Sequence, residues 1–221
     1  MKKRAPYLDS LEVVHETLQP SRYLEIGTRF GDSLWLSQCP SLAIDPKNQL
    51  NGPLRKTDRL FEMTSDDFFA AHDPVDLMKG PIEMGFIDGM HLAEYALRDF
   101  IYLERHMDRN GIICFDDVLP AKDEFATREH QTMIWCGDVY KVIRILNTHR
   151  PDLKIDIFKV PYKGLAIVQN LNPDSRYLDD LYPRLETEIL GGKWDSSVEN
   201  LRQEFAPLPV TQIPEILTAR Q

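Results

Sequence analysis

A chain of 221 residues is long enough for one α/β domain with a sizeable core plus terminal helices, and too short for two full domains. Its formal net charge of -9 excludes a general nucleic-acid binder, because neutralising phosphates takes a basic surface that this balance does not supply. Its three cysteines, Cys39, Cys114 and Cys136, lack metal-ligand spacing and read as reduced side chains of a soluble cytoplasmic protein; no apolar run reaches membrane-spanning length, and Met1-Lys2-Lys3-Arg4 leads into charged amphipathic sequence where a signal peptide would have an apolar core.

In chain order, Leu8, Leu11, Val14 and Leu18 recur at helical spacing until Pro20 breaks the pattern, which predicts an N-terminal helix over 8–18. Tyr23, Leu24 and Ile26 read as a buried parallel strand, followed by a turn carrying Gly27 and Gly31 and a helix opening near Asp32-Ser33. A second strand over 41–45 ends in Asp45, and a third over 60–63 leads to Thr64 or Ser65 as the cap of a helix through Phe69. The fourth strand, 82–88, ends in Asp88; the fifth, 112–117, ends in Asp116-Asp117. A helix over 139–149 precedes an alternating strand over 153–160, the turn Pro161-Tyr162-Lys163-Gly164 and a returning strand over 165–168, an antiparallel hairpin.

From Pro173 the composition changes. Tyr177, Leu178, Leu181, Tyr182, Leu185 and Ile189 offer one apolar helix face, while Pro183, Pro207, Pro209 and Pro214 cannot continue a sheet. The expected division is a domain over 1–172 with an appended helix and extended arm over 173–221, packed on the core, on a second subunit as a homo-oligomer, or on the substrate entrance.

The alternation of strands and helices from residue 23 to 171 is the signature of a parallel sheet covered on both faces. In such sheets ligands bind beyond the carboxyl ends of the strands, where Glu25, Asp45, Asp88, Asp116 and Asp117 would gather. The loop Glu25-Ile26-Gly27-Thr28-Arg29-Phe30-Gly31 lacks the central glycine of the Gly-x-Gly-x-x-Gly pyrophosphate loop. Its carboxylate would repel a pyrophosphate but accept hydrogen bonds from a cationic amino-acid ligand, which points to S-adenosylmethionine. Asp45, after the second strand, is placed to take the hydroxyls of a ribose.

With these residues placed, the chain resembles the class I S-adenosylmethionine-dependent methyltransferases over residues 8–171. The motifs are Leu24-Glu25-Ile26-Gly27-Thr28-Arg29-Phe30-Gly31, Ala43-Ile44-Asp45-Pro46, Phe86-Ile87-Asp88-Gly89-Met90-His91 and the terminal hairpin. The resemblance implies a Rossmann-like α/β fold: a mostly parallel seven-stranded sheet with a terminal antiparallel hairpin and helices on both faces. Ile87-Asp88-Gly89-x-His91, with Tyr95 and Asp99 downstream, and Gly111-Ile112-Ile113-Cys114-Phe115-Asp116-Asp117 are similar to the small-molecule O-methyltransferase branch that includes macrocin-type sugar enzymes. Members of that branch hold a divalent metal on aspartates matching Asp88, Asp116 and Asp117, and contact adenine where Thr64, Ser65 and Asp66 stand here.

Glu25, Gly27, Thr28, Gly31, Asp45, Ser65 and Asp88 are therefore the expected cofactor contacts. Three converging carboxylates would repel unless a cation or protons neutralise them, and oxygen-only ligands favour Mg²⁺ or a similar hard metal. Asp88 or His91 would take the proton of the acceptor, and Trp135-Cys136-Gly137-Asp138-Val139-Tyr140-Lys141 would line the substrate side. The expected activity is methyl transfer to a hydroxyl of a small molecule such as a glycoside or natural-product intermediate. The rivals are a metal-independent N-methyltransferase and a non-catalytic cofactor-binding regulator.

Overall fold

A computed structural model of the chain describes residues 4–219; the Met1-Lys2-Lys3 start, on which the expectation of no signal peptide rests, lies outside the described residues. Seven strands, β1 (Tyr23–Ile26), β2 (Ser41–Ile44), β3 (Asp58–Phe61), β4 (Ile82–Ile87), β5 (Met107–Phe115), β6 (Lys154–Phe158) and β7 (Leu165–Gln169), form one sheet in the order β3-β2-β1-β4-β5-β7-β6. The pairings from β3 across to β5 are parallel, and β7 runs antiparallel to both β5 and β6. This is the Rossmann-like methyltransferase arrangement that the sequence implies. The order reverses beside β1, so the crevice beyond the ends of β1 and β4 is the natural ligand site.

Strand side chains alternate between faces, and here the alternation feeds two cores. Leu24, Ile113, Phe115 and Val168 join the core under α2 (Ser65–Ala71), α3 (Pro74–Met78), α4 (Ala93–Glu104), α5 (Tyr140–His149) and α6 (Tyr177–Leu190). Tyr23, Met84, Phe86, Ile112 and Ile167 join the opposite core, closed by α1 (Pro6–Leu18) and α8 (Ile213–Thr218). All three cysteines are buried, and among the described residues none is in a disulfide. Among the described residues no helix is long and apolar enough to cross a membrane.

The structure departs from the sequence reading at four places. The helix expected to open near Asp32-Ser33 is a single 3-10 turn, Leu34–Leu36. The chain must reach Ser41 for β2, and Arg55 takes the carbonyls of Ser37 and Cys39 that a longer helix would have used. The face left thinly covered is filled by α1 and α8. β3 lies earlier than expected, because Arg55 Nε and Nη2 hold the Asp58 carboxylate at 2.8 and 2.9 Å and start the strand there. β5 begins at Met107, with an irregular register against β4 between Ile82 and Met84.

The fourth departure is the tail. It is not an extended arm after one helix but α6, α7 (Val198–Phe205), a 3-10 turn and α8. It also rejoins the sheet: Leu208 donates its N–H to Ile157 O at 2.8 Å and accepts from Lys159 N at 2.8 Å, pairing beside Phe158 in parallel. Pro207 and Pro209 flank Leu208, so the one residue between them supplies the donor that they lack. The apolar face of α6 is spent inside the chain, with Leu178, Leu185 and Ile189 buried. A buried ion pair ties the same side together: Arg150 donates to both oxygens of Glu104 at 2.7 and 2.9 Å, and Asn172 N donates to Glu104 Oε1 at 3.0 Å.

Candidate active site

Beyond the ends of β1, β2 and β4 lies a cavity of about 480 Å³, lined among others by Gly27, Thr28, Asp45, Ser65, Asp88 and His91. Gly27 makes it possible. Its φ is +94°, and a Cβ there would stand 2.0 Å from the carbonyl oxygen of Asp88, so only glycine lets the β1 loop pass this close to the β4 exit. The loop is then pinned by Asp45, whose Oδ2 accepts from Arg29 N and whose Oδ1 accepts from Lys47 N, both at 2.7 Å. Asp45 is therefore held rigid at the cavity wall.

The structure divides the expected cofactor residues into two groups. Gly27, Thr28, Asp45, Ser65 and Asp88 line the cavity, whereas Glu25 and Gly31 stand behind it. Glu25 is fully buried within β1 and accepts from Tyr23 OH at 2.7 Å and Ser33 Oγ at 3.0 Å. Burial pushes its pKa up to about 7 against the pull of those hydrogen bonds. Gly31, at φ +84°, packs on the Trp35 ring. Ser65 opens α2, which Thr64 caps by accepting from Asp67 N at 3.1 Å. Buried Asp99 faces the same wall; burial raises its pKa to about 7, with a hydrogen bond from Ser65 opposing.

The carboxylates gather as the sequence implies, but with two cations among them. His91 lies just before α4 in the left-handed region, φ 57°. Its Nε2 is 3.2 Å from Asp88 Oδ1 and its Nδ1 is 3.2 Å from Asp117 Oδ2. Lys163 reaches in from the β6–β7 turn, with Nζ 2.8 Å from Asp116 Oδ2 and 3.2 Å from Asp117 Oδ2. Burial and the neighbouring carboxylate of Asp117 push Asp116 up, while Lys163 pulls it back. Asp88, His91 and Asp117 have donor atoms within 4.8 Å of one another, yet the imidazole already stands between the two carboxylates. An ion held on Oδ2 of Asp116 and Asp117 would need the place of the Lys163 ammonium, so with that cation in place the pair does not suit the expected divalent metal.

Burial opposes charge on the His91 ring, but hydrogen bonding to Asp88 and the charges of Asp117 and Asp88 prevail, and its pKa rises from 6.5 to about 9. A raised histidine pKa stabilises the fold fully below pH 6.5, and that contribution is lost as pH rises through about 9. Thermal melts across this window should fall more steeply for the natural chain than for His91→Gln; parallel curves would refute the charged imidazole.

Two site residues, Lys163 and Tyr7, are not among those expected at the site. The start of α1 brings Tyr7 to the cavity, where Lys163 Nζ lies 5.1 Å from its ring centre. Burial, then the charges of Asp88 and Asp116, raise the Tyr7 pKa and keep its hydroxyl protonated. Trp135, expected on the substrate side, stacks on His91 with ring centres 5.2 Å apart and on His130 at 4.9 Å. The loop behind it is locked on: Gly137 has φ +60°, a Cβ there would fall 1.7 Å from His91 O, and Asp138 Oδ1 accepts from Ala93 N at 2.8 Å, capping α4.

Comparison with known proteins agrees with this geometry. Residues 24–118 match a family described as a methyltransferase domain. No curated protein matches the chain in sequence. Among solved structures, cofactor-bound Rv0187 from MTB is similar at TM-score 0.57 and 16% identity, covering 78% of this chain and 83% of that one. An O-methyltransferase from Bacillus cereus in complex with SAH gives 0.53 and 13%, over 75% and 81%. The O-methyltransferase TomG from Streptomyces achromogenes, in complex with SAM, gives 0.54 and 15%, over 77% and 82%. At such identities these likenesses speak for the fold alone, and the family match marks residues 24–118 as similar to a methyltransferase domain.

Proposed function

We propose that this chain transfers a methyl group from S-adenosylmethionine to a hydroxyl of a small molecule, with Asp88 as the proton acceptor. The observation that carries the reading is the placement of Asp88 in the cavity wall directly across from the Gly27 loop, its carboxylate held by His91. O-Methyltransferases among the similar structures support the acceptor atom. The cradle that a Cβ at Gly27 would obstruct, and the fixed Asp45 carboxylate beside it, suit the methionine and ribose parts of the methyl donor.

When bound, S-adenosylmethionine supplies a sulfonium methyl carbon as electrophile. Gly27, Thr28, Asp45 and Ser65 hold the donor, and the cavity walls orient the acceptor for in-line attack. Asp88 takes the hydroxyl proton as the oxygen–carbon bond forms and the carbon–sulfur bond breaks, its electron pair staying on sulfur. His91, charged at neutral pH by its two carboxylate neighbours, cannot take that proton itself and instead fixes Asp88. The Mg²⁺ implied by the resemblance has no part in this sequence of steps.

Intact-mass detection of methylated product over a panel of sugars, phenols and amines tests the assignment. Methylated hydroxyls are the expected product; methylation of amines alone would transfer the assignment to nitrogen. For the donor site, Asp45→Ala should lower S-adenosylhomocysteine affinity at least tenfold, since a charge-assisted hydrogen bond contributes about 1.5–3 kcal/mol. Calorimetry showing equal affinity in a folded variant would reject the ribose role of Asp45.

A further inference from the structure

We propose that the ammonium of Lys163 is the resident cation of this site, standing where the resemblance puts a divalent metal, and that the carboxylate cluster binds no metal while Lys163 is present. The inference rests on the methyl-transfer reading for the purpose of the cluster, and on geometry alone for the identity of the cation.

Lys163 is built into place. Its carbonyl accepts from Leu119 N at 2.5 Å, and the carbonyl of Tyr162 accepts from Ala121 N at 3.0 Å, so the β6–β7 turn is docked on the loop that leaves Asp117. Gly164 closes the same contact at φ +73°, where a Cβ would lie 2.4 Å from Leu119 Cβ. The ammonium spans the aspartate pair at 2.8 and 3.2 Å with the Tyr7 ring on one side of it. Asp116 and Asp117 are buried to 1% exposure, so the charge that balances them comes from within the protein, and the Lys163 ammonium is the cation in contact with both. A hard divalent ion takes about six oxygen ligands, and here the carboxylates already contact an imidazole and an ammonium, neither of which offers an oxygen.

The assignment gives Lys163 a role toward the acceptor. Two of its three N–H donors go to Asp116 and Asp117, and the third is left for an oxygen in the cavity that Lys163 lines. An oxygen gaining negative charge as it loses its proton would be stabilised there without reorganisation of water.

The test uses the full chain and Mn²⁺ alone, followed by calorimetry and electron paramagnetic resonance, in the natural chain, Lys163→Arg, Lys163→Met and Lys163→Met/Asp116→Asn. S-adenosylhomocysteine affinity and melting temperature are read on the same samples. The natural chain and Lys163→Arg should show no stoichiometric Mn²⁺ and the same S-adenosylhomocysteine affinity with or without EDTA. Lys163→Met should gain a single Mn²⁺ that the double variant loses. A stoichiometric Mn²⁺ in the natural chain would overturn the proposal whether or not Lys163→Met folds, and so would a folded Lys163→Met that binds none. Loss of S-adenosylhomocysteine binding in every sample would count against the methyl-transfer reading and leave the Mn²⁺ result intact.

Discussion

Asp88→Asn should reduce methyl transfer by about 10²–10⁴-fold, the usual contribution of a positioned general base, while S-adenosylhomocysteine affinity stays within tenfold of the natural chain. The amide keeps the size of the carboxylate and one oxygen for the His91 Nε2 contact at 3.2 Å, so the cavity should keep its shape. What it loses is the capacity to take a proton. Single-turnover rates on the best acceptor of the panel provide the measurement. A variant with the full rate would remove Asp88 from the chemistry and leave the acceptor to lose its proton to solvent.

Glu104→Ala should cost about 3–5 kcal/mol of stability, because it strands the Arg150 guanidinium in the interior. Glu104 and Arg150 are each nearly buried, with side chains 6% and 4% exposed, and the pair joins the end of α4 to the end of α5 and to Asn172 as the chain leaves the sheet. For a chain of this length such a loss lowers the melting temperature by on the order of ten degrees. Asp152, which also contacts Arg150 but is half exposed, cannot replace Glu104 in the interior. Urea unfolding that gives less than about 1 kcal/mol would place this pair with the weak ion pairs of the surface.

The strands that carry the glycine loop, Asp45 and Asp88 were legible because each is a short apolar run closed by turn chemistry. β1, β2 and β4 lie close to their expected places. The crossover helix after β1 was not legible: Leu34, Trp35 and Leu36 suit a helix, and only the distant Arg55, taking two carbonyls, shows why it stops after one turn. The carboxylates of the site were legible for the same reason as the strands, whereas its cations were not. A lysine in a turn says nothing by itself about what it will face.

The signal for Lys163 lay one step further on, in register. β7 is antiparallel to β5 with Phe115 opposite Ala166, so the residues just past Phe115 and those just before Leu165 must meet at one end of the sheet. A hairpin beside the fifth strand brings Lys163 to Asp116 and Asp117. Tyr7 had no such signal, since its approach depends on how α1 packs over the sheet. Nor did the pairing of Leu208, which runs against the rule that a proline-rich segment ends a sheet.

That pairing bears on how the molecule behaves in company. β6 is a border strand, and an unpaired border is a template on which another chain can add a strand of its own. Leu208 occupies the Ile157 and Lys159 groups that such a visitor would seek. Pro207 and Pro209 on either side give a newcomer no N–H with which to extend the ladder outward. The tail thus covers part of a border that another strand would otherwise find open.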